Sequence, residues 1–266
     1  MCEYDKRIVI SVSNEHRLTR RFTPDVEQRL VPREPDRRRV QMMHHRWECL
    51  LFLHWRIPAE QIQATLPQGL YVDTFEREAY IGITPFFMKD VRPVKVPAVA
   101  WLSDFLELNV RTYVHDEHGV PGVWFYSLDF SQPFAVAGAR FLTGLPYFQA
   151  QMDASSDGYI NYSSRRRGTT TNAKYRFRGA GSERQAEVES LEFFLLERYY
   201  LFAVRRGRLL RAQVSHSPYE YRDADIQKYS IVPVQLAGFH ELKGALAHSC
   251  FVDGLDVKVY ATQVVD

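Results

Sequence analysis

Apolar and polar positions alternate most cleanly over residues 106–114. Leu106, Leu108 and Val110 fall on one face, and Glu107, Asn109, Arg111 and Tyr113 on the other. Successive side chains of a strand point to opposite faces, so this stretch predicts a strand with four hydrogen-bonding groups on one surface. A solvent-facing strand gives such a face, and so does the wall of a polar-lined pocket. The strand opens a longer unit, 105–147. A turn over 115–122 (HDEHGVPG) leads to a second strand over 123–130. Ser131 and Pro133 then signal the start of a short helix over 133–141, with the small residues Ala135, Ala137, Gly138 and Ala139 on one face. Gly144 and Pro146 end the unit.

The flanking segments follow the same logic. Residues 47–57 (WECLLFLHWRI) read as a buried strand, and Pro58 opens a short helix in which Ile62 and Leu66 share a face. Residues 71–74 and 79–88 read as strands, with Pro85 marking an edge or a bulge. A proline-punctuated loop over 90–102 suits a pocket wall or lid. Hairpins are predicted around Ser155–Gly158 and around Arg206-Gly207. A further strand covers 172–178 and stops at a GAGS turn; helices cover 187–196 and 222–229, and a strand over 256–262 closes the chain. Strands outnumber helices, and no regular strand–helix–strand alternation appears. The predicted class is mainly β with short helices: one antiparallel β-barrel or bent sandwich with small flanking helices.

Residues 1–43 differ from the rest. They carry RLTRRF and VPREPDRRR with few aromatics, and read as a flexible basic arm. Met42 and Met43 also offer a downstream translation start. The folded domain is therefore expected to span 44–266. With 34 basic and 32 acidic residues the chain lacks the basic excess of a nucleic-acid binder. Its 3 cysteines are widely spaced, which fits a reducing compartment better than a disulfide framework. No apolar run has the length of a membrane span, and the expected setting is the cytoplasm.

The chain contains no GxGxxG, Walker A, HExxH or GxSxG motif. His115 and His118 sit in an acid-rich turn that reads as a solvated hairpin tip rather than a metal site, and no metal or cofactor is expected. Glu107 and Arg111, four apart in one strand, lie about 13 Å from each other and can face one cavity without touching. Arg140, among small residues, can project over a pocket or pair with a structural acid such as Glu107 or Asp129. His216 follows a strand and sits beside Ser217, where it can act as a general base or bond the nearby backbone.

The segments WECLLFLHWRIP, LPQGLYVDTFEREAYIGITPFFM, ELNVRTYV, PGVWFYSLD, ERYYLFA and the His216-Ser217-Pro218 tripeptide occur in one order over about residues 44–263. Together they resemble the uncharacterised YqjF-like family (DUF2071). That family is similar in fold to acetoacetate decarboxylase, a cone-like, largely antiparallel β-barrel around a pocket for a small acidic substrate. The resemblance implies the same fold here. It also aligns Gly144-Leu145-Pro146-Tyr147 with the Gly-x-Pro segment that precedes the decarboxylase's Schiff-base lysine, so Tyr147 stands where that lysine would be. A phenol forms no imine, so Schiff-base decarboxylation is not expected. The expected function is binding of a small carboxylate or oxo-acid, with Arg111, Tyr113 and Arg140 holding the ligand. In an enzyme, Tyr147, Glu107 or His216 would move a proton. The alternative is a non-catalytic ligand-binding or regulatory module. The expected partner is a small molecule, with a homo-oligomer left open.

Overall fold

The computed structural model describes residues 23–35, 38–98, 103–132, 143–242 and 244–265. Its strands are β1 (Gln41–Ile57), β2 (Leu70–Val72), β3 (Ala79–Pro93), β4 (Phe105–Asp116), β5 (Pro121–Phe130), β6 (Tyr147–Ser156), β7 (Ile160–Arg166), β8 (Ala173–Gln185), β9 (Tyr200–Arg205), β10 (Arg208–Ser215), β11 (Glu220–Lys228), β12 (His248–Tyr260) and β13 (Gln263–Val264). The helices are short: α1 (Val26–Leu30), followed by a 3-10 turn (Val31–Arg33), then α2 (Ala59–Gln63), α3 (Leu191–Leu196) and α4 (Val232–Leu236). The chain is mainly β, as its patterning predicts.

The strands run in the order β13-β10-β9-β5-β6-β7-β8-β11-β12-β1-β3-β4-β2, and two further pairings, β4–β5 and β10–β12, fold this sheet back on itself. The strands β5-β4-β3-β1-β12 thereby belong to two rings. One is completed by β6, β7, β8 and β11, the other by β9 and β10. This shared wall is covered on both faces, so β1 and β3 read as nearly continuous apolar runs. Leu51 and Leu53 of β1, Ile81 and Ile83 of β3, and Leu108 and Val110 of β4 enter the core that holds Tyr162, Tyr175 and Phe177. Leu50 and Phe52, Tyr80 and Phe86, and Phe105 and Tyr113 enter the opposite core, which holds Val123, Phe194, Tyr219 and Cys250.

Pro85 lies inside β3 rather than on an edge strand. Its missing N–H is accommodated where β1 carries an extra residue, since pairing with β3 shifts between Glu48 and Leu53 and Cys49 has φ +54°. Other boundaries also move. β3 continues to Pro93 through the expected loop, and β8 runs through GAGS to Gln185. Residues 222–229, expected to be helical, mostly belong to strand β11. The expected helix over 133–141 lies outside the described residues.

The reading of residues 1–43 as a flexible arm does not fit their described part. Asp25 caps α1, accepting from the Gln28 N–H while the Gln28 side chain accepts from the Asp25 N–H. Arg29 of α1 makes two hydrogen bonds to the buried Asp73 carboxylate, at 2.7 and 2.8 Å. Arg33 reaches Glu197 at 3.2 Å. The basic residues here serve as ion-pair partners of buried acids, which composition alone does not show. The arm reading for residues 1–22 falls outside the described residues.

Candidate functional site

The polar face of β4 points inward. Glu107, Asn109, Arg111 and Tyr113 are all buried, on the side of the wall that faces the ring completed by β9 and β10. The solvent-facing alternative is therefore excluded, since this polar face is buried.

Arg111 is the most telling member. Its Nη2 donates to the Leu195 carbonyl at 3.3 Å, near the end of α3. Its Nε is buried with no partner. The guanidinium lies 5.0 Å from the Phe52 ring centre and 5.7 Å from that of Tyr113. Among the described residues no carboxylate forms an ion pair with it. The other deeply buried arginines differ: Arg166 meets Asp129 at 2.8 Å and Arg198 meets Asp73 at 2.7 Å. A buried cation without a counter-ion leaves its desolvation cost unmet, and an anion bound beside it would remove that cost.

Further polar atoms of this core share the condition. Thr84 and Asn109 are opposite one another in the β3–β4 register, and Thr84 Oγ1, Asn109 Oδ1 and Trp47 Nε1 are all buried without hydrogen-bond partners among the described residues. Native interiors leave few such groups.

His216 follows β10 as expected, and one part of its setting supports each alternative. Its Nδ1 lies 2.7 Å from the Ser217 carbonyl, so Nδ1 carries the donated proton. Burial holds the imidazole below its ordinary pKa, partly opposed by that backbone bond, and it is neutral near pH 7. The other nitrogen, Nε2, is also buried and makes no hydrogen bond of good geometry among the described residues, although the nearby Arg198 backbone too opposes the lowering. The ring is sandwiched by Tyr199 and Tyr219, each at 4.7 Å. Tyr219 in turn meets Phe52 edge-on at 5.7 Å, placing His216 and Arg111 against one aromatic cluster.

Glu107 and Tyr147 form a second group. Burial pushes the Glu107 carboxyl up to about 8, opposed by a hydrogen bond from Asn109 and reinforced by the charge of Asp129. It is therefore protonated near pH 7 and can donate a proton. Tyr147 opens β6 and packs edge-on against Phe130 at 4.7 Å. Burial, and then the proximity of Glu107, drive its phenol well above the usual range, while a hydrogen bond with Thr143 opposes them. It stays a neutral hydroxyl. Arg140 lies outside the described residues.

The sequence reasoning did not single out His54, His248, Phe52 or Tyr219. His54 shares the alternation of Leu50 and Phe52, a signal readable in the sequence; His248 joins it only through the pairing of β1 with β12. The expected hairpin tip holds His115, which is buried with Nδ1 2.8 Å from the Asp116 carbonyl, and His118, which is exposed. Among the described residues no group of three or more His, Cys, Asp and Glu side chains could hold a metal ion. Nor does any described helix have the length and apolarity to cross a membrane.

The DUF2071 family model, described as "Uncharacterized conserved protein", matches residues 44–256. The chain belongs to this family. The uncharacterized protein YqjF of Bacillus subtilis (strain 168) is 34% identical over 190 residues, covering 71% of this chain and 78% of that one. DUF2071 is here joined to a known fold by solved structures. The enduracididine biosynthesis enzyme MppR complexed with pyruvate superposes with a TM-score of 0.60 at 13% identity, covering 85% of this chain and 91% of that one. Acetoacetate decarboxylase from Legionella pneumophila superposes with a TM-score of 0.57 at 14% identity, over 88% and 92% of the two chains. At these identities the likeness establishes the acetoacetate decarboxylase-like fold, and no activity.

Proposed function

We propose that this DUF2071 member binds a small carboxylate, with a 2-oxo acid as the best fit, in the core faced by Glu107, Asn109, Arg111 and Tyr113. The observation that carries the reading is the buried Arg111 guanidinium, which has no counter-ion among the described residues. The carboxylate takes that place, and the unpartnered Asn109, Thr84 and His216 atoms supply polar contacts along the chamber. The fold likeness to a protein solved with pyruvate makes pyruvate the natural first probe. In the catalytic form of this reading, the protonated Glu107, the Tyr147 hydroxyl or the His216 imidazole moves a proton.

A Schiff-base decarboxylation is not part of the proposal. Tyr147 replaces the lysine, and no described lysine is buried. The same absence favours a second reading, a module that binds the acid and returns it unchanged. Titration of pyruvate into the protein, followed by calorimetry and by proton NMR over hours, tests both. Saturable binding that Arg111→Met abolishes supports the site. Loss of the pyruvate signals indicates an enzyme and their persistence a binding module. Equal binding of pyruvate and other short carboxylates by wild type and Arg111→Met, or no binding by either, overturns the proposal.

A further inference from the structure

We propose that His248, His54 and Tyr113 form a proton relay connecting the half-buried outer end at His248 with the chamber faced by Arg111. The relay's role rests on reading that chamber as a ligand site, but its geometry does not. His54 of β1 and His248 of β12 are directly opposite in the strand register. His54 Nδ1 lies 2.9 Å from His248 Nδ1, and His54 Nε2 lies 2.7 Å from the Tyr113 hydroxyl. His54 is fully buried, Tyr113 is fully buried, and His248 is half-buried. Three groups that each both donate and accept are thus joined by two short hydrogen bonds, running from partial solvent contact into the core.

The His54 ring has a prepared seat. It stacks on Phe52 with ring planes 10° apart. Gly82 of β3 stands opposite it, and a Cβ at that position would lie 2.8 Å from His54 Cδ2. A larger residue would push the ring out of line with both partners.

A single proton occupies the bond between the two Nδ1 atoms, so the neutral chain has two arrangements. In the first, His248 Nδ1–H donates to His54 Nδ1, and His54 Nε2–H donates to the Tyr113 oxygen. Tyr113 O–H then points to the chamber. When Tyr113 gives that proton to an acceptor in the chamber, its oxygen takes the His54 Nε2 proton. His54 Nδ1 takes the His248 Nδ1 proton, and His248 Nε2 takes one from water. The second arrangement results, with Tyr113 O–H donating to His54 Nε2 and His54 Nδ1–H donating to His248 Nδ1. One proton has moved inward and no ring has kept a charge. Reversal carries a proton outward.

The surrounding charges favour neutral rings. Burial holds His54 well below its ordinary pKa, and His248 and Arg111 add to that effect. Burial lowers His248 to about 4, where Glu192 opposes and Arg184 assists. The Arg111 and Arg198 guanidiniums, 5.7 and 5.2 Å from the Tyr113 ring, oppose the burial that raises its phenol, which eases transient loss of the proton.

The test uses the full-length, ligand-free protein with 15N-labelled histidine at pH 7. Solvent exchange of the His54 ring proton is measured by NMR in wild type and in His248→Gln. Glutamine can still hydrogen-bond His54 but cannot pass a proton through its amide. The relay requires both imidazoles to be neutral and the exchange to slow at least tenfold in His248→Gln at unchanged melting temperature. Gly82→Ala, which displaces the ring rather than the outer end, provides an independent second variant with the same expected slowing. Unchanged exchange in both variants, or a cationic His54 or His248 at pH 7, overturns the relay. Because no ligand is present, failure of this test leaves the carboxylate reading untouched, and failure to bind pyruvate leaves this result untouched.

Discussion

The Arg111 guanidinium lies 5.0 Å from the centre of the Phe52 ring, and no described carboxylate pairs with it. A purely structural arginine in that place would be a poor choice, because an apolar side chain of similar length fills the volume without a buried charge. Arg111→Met is therefore expected to leave the melting temperature unchanged or raise it by a few degrees. The same substitution is expected to weaken pyruvate binding at least tenfold. A large fall in melting temperature would assign Arg111 to holding the fold instead.

Asp73 presents the opposite case. It is fully buried and receives both Arg29 and Arg198. Asp73→Asn leaves two guanidiniums facing a neutral amide, and the expected loss is about 3–5 kcal/mol of stability in chemical denaturation. Arg29→Met in the same assay should cost less, since Asp73 keeps Arg198.

Glu107 gives a signed pH dependence. Its carboxyl rises from 4.5 to about 8 on folding. The unfolded chain loses the proton first, so the contribution to stability is complete below pH 4.5 and declines as pH rises through about 8. The full effect is on the order of a few kcal/mol for a group this buried. Glu107→Gln should flatten the wild-type decline between these limits. Parallel profiles for the two proteins would show that the carboxyl is ionised throughout.

The buried histidines act in the other direction. Burial lowers His45 and His248 to about 4, and holds His54 well below 6.5. Their contribution is present above pH 6.5 and is lost as pH falls towards 4, because the unfolded chain takes up protons first. His54→Phe should reduce the slope of unfolding free energy against pH in that interval. An unaltered slope would place His54 outside the acid response.

Sodium borohydride with pyruvate checks the departure at Tyr147. The expected mass spectrum contains no reduced adduct on any lysine. A stable adduct would restore the imine route through a residue other than Tyr147.

The alternation of β4 was legible because period-two patterning reports directly on facing, and the wall strands were legible as apolar runs. What remained hidden depended on partners distant in the chain. GAGS reads as a turn, yet Gly181, at φ +72°, sits where β8 carries extra residues opposite Tyr221 and Asp223, so the glycine bends a strand rather than ending it. Residues 222–229 are mostly polar, with Ile226 and Tyr229 as their β-favouring residues. Their strand is fixed by cross-strand pairs such as Asp225 with Arg178, at 2.9 Å. Glu107, Arg111, Tyr113, His216 and Tyr147 were individually visible. The contact between His54 and His248 required the register of two strands nearly two hundred residues apart, which no local pattern encodes.

The shared wall has one more effect on β4. A slip of one residue in its register would send Glu107, Asn109 and Arg111 into the core of Tyr162 and Phe177, and Leu108 and Val110 to the side of Val123 and Phe194. Both cores would fail together. The alternation of polar and apolar side chains along β4 thus holds the register as well as the packing.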